Sequence, residues 1–400
     1  MMSVQDLFED FQILEIPTPG MPIHLTVALP SSSLLARCPD FPAAARPEAG
    51  RVGQGRGLTQ EASNFSAIGE AVETASVSVW GDEDLLPRPP PGAVWLTADA
   101  LNGFSTEQIV TRATWNDTAA HVDWRPVDQV ATAWFPVMHG LRNERAYAPA
   151  DFVFIGRREI GDENAAAIGD SNGCAAGLSR SAARMSGLLE LIERDAVARW
   201  WYGIRRCPPV PWRACGLPPE LFRWLETRSR RTWIIDVTSD IGIPVAVAVG
   251  ADSDGRSIAL GHAAGTDWPA AALAATTELV QMEFSLQLAR SMPSCAPAWS
   301  DWLDQVTLST PPLDAIGFSE AAPETRAPLG LMDMLRACES VGVDVWFADL
   351  DRRCFGVAVS RAIAPALCHK KPRFGKHRLL AAEPGDGDDR RPLNPQIMWI

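Results

Sequence analysis

Tyrosine, histidine and basic residues are scarce in this chain of 400 residues. It has 2 Tyr and 6 His, and its 36 Lys and Arg are outnumbered by 49 Asp and Glu, which gives a formal net charge of −13. Proteins that bind nucleic acids or anionic membranes through their overall charge are usually basic. We therefore expect neither nucleic acid nor a membrane among the partners, and an anionic ligand would need metal ions or a few well-placed cations.

Several familiar sequence signals are also missing. The eight cysteines are scattered, with no CxxC pair and no zinc-type Cys/His cluster, as is usual in a reducing compartment. The sequence shows no signal-peptide pattern at its start, and no apolar run approaches the roughly 18 residues of a membrane span. These absences predict a cytoplasmic protein. The GxGxxG and GxxxxGK[ST] phosphate motifs are missing as well.

What the chain does contain is an alternation of predicted strands and helices. Segments 233–252 and 343–367 each have two apolar runs with a short connection, and three Gly/Ala-rich stretches, interpreted as loops, precede three helical patterns. This degenerate repeat predicts a mixed α/β (α+β) fold of strand-strand-helix units. We expect an irregular N-terminal extension at 1–50, a main domain at 51–385 and a tail at 386–400 that could reach the active site.

Each of the three helical patterns carries two acidic or amide side chains three residues apart. The pairs are Glu70 and Glu73, Glu190 and Glu193, and Glu278 and Gln281. Residues at this spacing are neighbours on a helix surface, and unpaired carboxylates among apolar side chains are costly. Mg²⁺ would remove that cost, because it shares carboxylate oxygens with substrate phosphates. The alternatives are ordinary salt-bridged surface helices and a di-iron bundle, which would need Glu-x-x-His motifs that the chain lacks.

Residues beside these carboxylates suit a nucleotide. The stretches 55–57 and 171–173 place backbone N–H groups ahead of helix N-termini, where phosphates often bind. Ser66 lies one helical turn before Glu70, and Arg194 directly follows Glu193 and could supply a cation. Together these features predict an ATP–Mg²⁺ site.

Two groups of residues near these motifs have a simpler interpretation. Trp200, Trp201 and Tyr202 are expected to pack in the core rather than to stack on adenine. His262 could face the site, but a structural role is favoured, and no catalytic role is assigned to Cys174, because a free cysteine often fills the core as a small apolar side chain.

At these motifs the sequence resembles the YcaO family, from about residue 50 to 380. The matching blocks are GRGLT (55–59) with SAIGEAVE (66–73), SNGCAAG (171–177) with ELIERDA (190–196), and TELVQ (277–281). The resemblance implies a YcaO-like fold around a central ATP site, with Mg²⁺ bound by Glu70, Glu73, Glu190, Glu193 and Glu278. It implies that the nucleotide contacts Arg56 (in place of the family's usual Lys), Ser66, Asn172, Arg194 and Gln281. Glu190, Glu193 and Arg194 are the implied catalytic residues.

The resemblance also implies an ATP-dependent enzyme that activates backbone amides of a ribosomally made precursor peptide. Cyclodehydration of Cys, Ser or Thr to thiazoline or oxazoline, as in bacteriocin biosynthesis, is the first expectation. Thioamide formation, amidine formation and a catalytically silent docking subunit are the alternatives, and an unrelated metal-dependent hydrolase is disfavoured because its His or Asp ligands are not seen.

The implied partners are the precursor peptide, a separate E1-like leader-binding protein and, for azole products, a flavin dehydrogenase. A homodimer is left open. One departure from the family lies at the end of the chain: PLNPQIMWI (392–400) lacks the proline-rich terminus of many azoline-forming members, which weakens the expectation of azoline formation in particular.

Overall fold

The computed structural model describes seven stretches of the chain: residues 4–49, 51–111, 133–156, 170–291, 302–324, 326–380 and 393–398. The chain divides into two compact units, which are taken one at a time below. The first comprises Met1–Pro19, His24–Leu191 and Leu331–Ala366, and the second Gly20–Ile23, Ile192–Gly330 and Leu367–Ile400.

The first unit contains two sheets. Its strands are β1 (Phe11–Ile16), β2 (His24–Pro30), β3 (Gly53–Gly57), β4 (Val94–Trp95), β5 (Trp134–His139), β6 (Arg145–Pro149), β7 (Cys174–Gly177), β11 (Trp346–Asp349) and β12 (Ala358–Ile363). The three-stranded sheet has the order β1-β2-β3, and the six-stranded sheet has the order β4-β6-β5-β11-β12-β7. All pairings are antiparallel except that of β4 with β6.

The helices of the first unit differ widely in length. They are α1 (Val4–Glu9), α2 (Ser32–Arg37), α3 (Gln60–Val77), α4 (Ala98–Asn102), α5 (Thr106–Val110), α6 (Ala150–Val153), the first part of α7 (Arg180–Trp201) and α10 (Leu331–Ser340). Thr59 is the N-cap residue of the long helix α3, and its hydroxyl accepts a hydrogen bond from the Ala62 N–H. Most of the alanines and the short aliphatic side chains of α3 face the core of this unit, and its glutamates lie outside the buried face.

The second unit is built on one antiparallel sheet. Strands β8 (Arg231–Asp236), β9 (Val245–Ala251) and β10 (Ala259–Ala264) lie in the order β10-β9-β8. Besides the second part of α7, its helices are α8 (Pro219–Thr227), α9 (Trp268–Ser291) and α11 (His377–Leu380), with 3₁₀ turns at Trp212–Ala214 and Leu313–Gly317. Helix α9 packs across β9 and β10, and the side chains between them form the core of this unit.

The first and third Gly/Ala-rich stretches are mainly strands and not loops, contrary to the interpretation of the sequence, whereas the second is a turn that leads into a short strand. They form β3, β7 and β10, each of which is followed by a long helix. A Cβ atom on Gly55 would lie 2.0 Å from the Ser63 carbonyl oxygen, and one on Gly261 would lie 2.2 Å from the Leu279 nitrogen. Glycine is needed here because the strand and its helix approach each other backbone to backbone.

The predicted irregular structure of residues 1–50 is also corrected. Strands β1 and β2 lie within this segment, and β2 pairs with β3 over His24–Ala28, so the segment is part of the first sheet. By contrast, the predicted strand pairs in 233–252 and 343–367 are confirmed as β8–β9 and β11–β12. The mixed helix and sheet fold is confirmed too, whereas the domain boundaries at residues 50 and 385 stay predictions.

None of the helices in the described stretches combines the length and the apolar character needed to cross a membrane.

Candidate functional site

In the first unit, the carboxylates of α3 line the polar side of that helix. Ser66 and Glu70 are exposed and Glu73 is half-buried. The Gln54 N–H of β3 donates a hydrogen bond of 3.0 Å to Glu70 Oε2. Arg56, two residues further along β3, is half-buried. The strand therefore orients Glu70 through its own backbone.

Helix α7 repeats this arrangement with the turn that precedes β7. The Gly173 N–H donates a 2.9 Å hydrogen bond to Glu190 Oε2. Gly173 has φ +80°, and a Cβ atom there would lie 2.3 Å from the Ala362 carbonyl oxygen, so only glycine fits this turn. Among the described residues, nothing forms a hydrogen bond to the buried Oδ1 of Asn172 in the same turn, which leaves an acceptor oxygen beside Glu190.

An ion pair between the buried Arg361 and the half-buried Asp170 holds this turn, and it was not predicted from the sequence. Arg361 of β12 donates from Nη1 to the Asp170 carbonyl oxygen at 2.7 Å and to the Val153 carbonyl oxygen at 3.2 Å, and from Nη2 to Asp170 Oδ1 at 3.2 Å. The Asn172 N–H in turn donates to Asp170 Oδ1 at 3.0 Å. The signal in the sequence was a single Arg within the otherwise apolar run AVSRAI.

Carboxylates from two helices of the first unit act on the buried thiol of Cys174 in β7. Burial raises the pKa of this thiol, Arg361 opposes that effect, and the negative charges of Glu73, Glu190 and Asp170 add to it. Glu73 of α3 and Glu190 of α7 are thus both close to the start of β7. The raised pKa keeps Cys174 a neutral thiol, in keeping with the sequence analysis, which assigned it no catalytic role.

In the second unit, a buried histidine links the carboxylates of α7 and α9. His262 of β10 lies with Nδ1 at 2.6 Å from Glu193 Oε1 and Nε2 at 3.9 Å from Glu278 Oε1. Nothing among the described residues forms a hydrogen bond to the buried Nε2. The structure therefore places His262 between Glu193 and Glu278, and their role as metal ligands stays a prediction.

The charges of Glu193 and His262 stabilise each other. Burial by itself raises the pKa of Glu193, but His262, Arg194 and Lys370 outweigh this effect and lower it overall. Burial likewise lowers the pKa of His262, and the two carboxylates raise it overall. Glu193 is accordingly held in its ionised form, which is the form that binds a cation.

The remaining predicted residues of this unit lie on the same two helices. Arg194 is buried on α7, and Gln281 is half-buried on α9, one helical turn beyond Glu278. Since both have polar partners within the protein, the structure gives each a defined environment but assigns no ligand to it.

A second buried ion-pair network anchors α7 next to these residues, and it too was missed. Asp195 is fully buried and accepts hydrogen bonds from the Cys368 N–H at 2.9 Å and from Arg378 Nη2 at 2.9 Å. Arg378 and Arg199 both also donate to Asp240 Oδ1, at 2.6 and 2.5 Å. Burial raises the pKa of Asp240, but the two arginines lower it to about 2.

The aromatic end of α7 packs in the core, which confirms that prediction. Trp200 and Trp201 are 0% exposed and Tyr202 is 1% exposed. Trp201 Nε1 donates to the Gln396 carbonyl oxygen at 2.7 Å, and the Asn394 N–H donates to the Tyr202 carbonyl oxygen at 2.8 Å. Residues 393–398 are therefore held on the second unit, while 386–392 and 399–400 lie outside the described residues. That the tail reaches the active site stays a prediction.

The donor atoms of these residues fit Mg²⁺ and phosphate. Carboxylate oxygens are the ligands that Mg²⁺ prefers, and the buried, unpartnered Oδ1 of Asn172 is a further oxygen of the right type. Over the described stretches, the side chains of His, Cys, Asp and Glu do not already converge in a group of three or more able to hold a metal. Within each unit, therefore, the oxygen donors are of the type that Mg²⁺ binds.

Comparison with known proteins gives this arrangement its context. The family model described as YcaO cyclodehydratase, ATP- and Mg²⁺-binding, matches residues 54–368. No curated protein matches the chain.

The chain is also similar to solved structures, among them two heterocyclases and a YcaO protein. A heterocyclase in complex with substrate and cofactor has a TM-score of 0.81 at 26% identity, and the match covers 97% of this chain and 54% of the heterocyclase. The heterocyclase TruD has a TM-score of 0.70 at 23% identity, and the match covers 99% of this chain and 57% of TruD. YcaO from Methanopyrus kandleri, bound with AMPPCP and Mg²⁺, has a TM-score of 0.61 at 19% identity, with 95% and 90% covered.

These findings confirm the predicted fold, and at the level of the family they confirm ATP and Mg²⁺ as cofactors. The chain spans little more than half the length of the two heterocyclases. The family match nevertheless covers most of this chain, and it includes the three helices whose carboxylates are described above. The chain belongs to the YcaO family.

Proposed function

We propose that this chain is an ATP- and Mg²⁺-dependent enzyme that activates backbone amides in a precursor peptide and cyclises Cys, Ser or Thr residues to thiazoline or oxazoline. The observation that carries the proposal is the complete set of acidic side chains on α3, α7 and α9, each helix packed on its own glycine-bearing strand. The similarity to a heterocyclase at 26% identity supports cyclisation as the reaction.

In this proposal five carboxylates bind Mg²⁺: Glu70, Glu73, Glu190, Glu193 and Glu278. Arg56, Ser66, Asn172, Arg194 and Gln281 contact the nucleotide. When bound, ATP supplies the phosphoryl group that turns the amide oxygen into a leaving group, and Mg²⁺ neutralises the charge of its phosphates.

The chain's own contribution is to hold these groups ready. Backbone N–H groups of Gln54 and Gly173 orient Glu70 and Glu190 before any ligand arrives. His262 keeps Glu193 ionised and holds its carboxylate at Nδ1, while Nε2 of the same ring faces Glu278. Groups that are already oriented need little rearrangement when charge develops on the substrate, which is how such sites accelerate phosphoryl transfer.

The precursor peptide would be presented by a separate E1-like leader-binding protein, and a flavin dehydrogenase would oxidise azolines to azoles. Thioamide and amidine formation differ only in the nucleophile that attacks the same activated amide, so they stay alternatives of the same mechanism. A silent docking subunit is less well supported, because that role would not require the carboxylates that remain on all three helices.

Nucleotide binding tests the proposed roles directly. Titration calorimetry with AMPPCP in the presence of Mg²⁺ should show saturable binding, and Glu190→Gln and Glu193→Gln should each weaken it by at least about tenfold, since even residues that only support a metal ligand are worth that much. The matched control is Glu61→Gln, which removes an exposed carboxylate from the first turn of α3 and should bind as the wild type does. Equal binding by all four proteins would refute the assignment.

A further inference from the structure

The second unit contains a cavity that the proposed function does not use. Its volume is about 330 Å³, and neither Glu193 nor Glu278 lines it. Sites for small ligands begin at about 300 Å³, so the cavity is large enough for a small molecule or one long side chain. The side chains that matter for its chemistry are those of Asp236, Ser239, Asp240, Trp268, Glu324 and Arg326, all of them in the second unit.

One of the carboxylates in the walls of this cavity has no cationic partner in the described stretches. Asp240 pairs with two arginines, and the exposed Glu324 pairs with Arg326. Asp236 is half-buried, and within the described part of the chain its carboxylate accepts only the Thr238 N–H, at 2.9 Å from Oδ1. A carboxylate that is partly withdrawn from water attracts a cation, so Asp236 gives the cavity an uncompensated negative charge.

The matching strand pair of the first unit shows what binds a carboxylate at this position. Asp236 is the last residue of β8 and Asp349 is the last residue of β11, and each of these strands pairs with the next strand along the chain. Arg184 donates to Asp349 from Nη2 at 3.0 Å and from Nε at 3.3 Å, and Arg180 Nε lies 3.2 Å from the same carboxylate. The equivalent carboxylate of the first unit thus binds two guanidinium groups.

Two buried side chains of the lining also have hydrogen-bond donors to offer. Ser239 is 7% exposed; its hydroxyl oxygen accepts a bond from the Ile241 N–H at 3.5 Å, and none of the described residues accepts its proton. Trp268 is 1% exposed, and its Nε1 has no acceptor in the described stretches. Since buried polar groups are nearly always hydrogen-bonded, a ligand with a carbonyl oxygen as well as a cation suits these walls. A basic residue of a peptide carries both.

The cation that the chain itself supplies to this lining is engaged elsewhere. Arg326 donates from Nη1 to the Gly242 carbonyl oxygen at 3.2 Å and from Nη2 to Glu324 Oε2 at 2.8 Å. Its side chain is 46% exposed, and exposed ion pairs of this kind are weak. Arg326 therefore lines the cavity without neutralising Asp236.

We propose that this cavity binds a basic side chain of a peptide, with the cationic group on Asp236 and a neighbouring peptide carbonyl at Ser239 and Trp268. A guanidinium forms two parallel hydrogen bonds with a carboxylate and is less strongly hydrated than an ammonium, so the site prefers arginine to lysine. That the peptide is the precursor rests on the proposed function, whereas the recognition of the cation does not. The cavity is a binding site for the substrate that shares no residue with the proposed Mg²⁺ ligands.

A ligand-observed NMR titration of the full-length chain, without ATP or Mg²⁺, tests the proposal. The probes are Nα-acetyl-arginine methylamide, its neutral analogue Nα-acetyl-citrulline methylamide, and butylguanidinium, which has the cation but no peptide carbonyl. We expect saturable binding of the arginine derivative and at least about tenfold weaker binding of the other two, since each lacks a charge-assisted or buried hydrogen bond. Equal binding of the citrulline derivative would overturn the proposal, and equal binding of butylguanidinium would contradict a peptide as the ligand.

Two variants locate the binding. Asp236→Asn should abolish the preference for the arginine derivative over the citrulline derivative, and Asp254→Asn, which neutralises an exposed carboxylate between β9 and β10, should retain it. An unchanged preference in folded Asp236→Asn would overturn the assignment, and the comparison of the two derivatives on the wild type needs no variant. Because no nucleotide is present, a negative result here is distinguishable from a failure of the Mg²⁺–AMPPCP titration that tests the proposed function.

Discussion

Replacing Asp195 with alanine should destabilise the second unit more than almost any other single change on α7. The carboxylate is fully buried, and it accepts hydrogen bonds from the Cys368 N–H and from Arg378. Its removal leaves a buried backbone donor without its acceptor and leaves two guanidinium groups, Arg378 and Arg199, to share Asp240. A buried charge that loses its partner cannot regain its hydration without opening the fold.

The size of the effect follows from that geometry. Removing one partner of a buried ion pair typically costs about 3–5 kcal/mol. For a unit of this size each kcal/mol lowers the unfolding temperature by about 2–4 °C, so the Asp195→Ala variant should unfold on the order of 10 °C below the wild type. Asp195→Asn should lose less, because its amide oxygen can still accept the Cys368 hydrogen bond while the charge is lost.

Circular dichroism at 222 nm, recorded at one fixed scan rate, measures the three unfolding temperatures. Glu226→Ala is the matched control, because it removes an exposed carboxylate from α8 and should change stability by no more than about 0.5 kcal/mol. If Asp195→Ala unfolds within 2 °C of the wild type, on the scale of about 2–4 °C per kcal/mol, the network does not carry the stabilising role assigned to it.

Three further changes test other parts of the structure. Gly55→Ala in β3 should destabilise the first unit by about 1–3 kcal/mol because its Cβ would meet the Ser63 backbone. Gly69→Ala in α3, where a Cβ would meet nothing within 4 Å, should stabilise it by about 0.5–1 kcal/mol. Urea unfolding measures both changes, and equal signs would contradict the reasoning. The pKa of Asp240 is lowered to about 2, so this carboxylate stabilises the fold above about pH 4 and ceases to do so as the pH falls toward 2. Asp240→Asn should therefore flatten the plot of stability against pH between about pH 4 and 2. An unchanged plot would contradict the pairing of Asp240 with the two arginines. Arg361→Lys should weaken Mg²⁺–AMPPCP binding in calorimetry, because a single ammonium group cannot replace the two guanidinium nitrogens that donate hydrogen bonds to Asp170. Binding with the wild-type affinity would contradict this.

Local patterns were enough to predict the elements that carry the candidate site. The apolar periodicity of α3, α7 and α9 and the spacing of their carboxylates depend only on residues near one another in sequence, and the helices are found where the pattern predicts them. The paired strands of 233–252 and 343–367 were predictable for the same reason, since each is a short apolar run beside a turn.

Glycine-rich sequence was ambiguous, and the wrong alternative was chosen. Glycine serves a phosphate loop because it frees the backbone, and it serves β3 and β10 because it removes the side chain between a strand and a helix. Only the packing partner decides between these roles, and that partner is not visible in the stretch itself. Strands β1 and β2 were missed because the pairing of β2 with β3, which completes their sheet, joins segments separated by a Pro/Ala-rich tract.

The ion pairs behind the site could not be predicted from spacing. Asp170 and Arg361, like Asp195 and Arg378, are separated by more than 180 positions, and a single sequence gives no signal that couples them. His262 was seen in the sequence and assigned a structural role. The structure shows it against Glu193 and facing Glu278, where it maintains the charge of a proposed metal ligand.

The most direct test of the account is the mass of a precursor peptide after incubation with this protein, Mg²⁺ and ATP, with the leader-binding partner supplied. The account predicts an ATP-dependent loss of one water for each Cys, Ser or Thr that is cyclised, abolished in Glu190→Gln and Glu193→Gln and retained in Glu61→Gln. A mass change that replaces oxygen with sulfur would keep the amide activation and change the nucleophile. An unchanged peptide mass, or a change that occurs equally without ATP, would contradict the central claim.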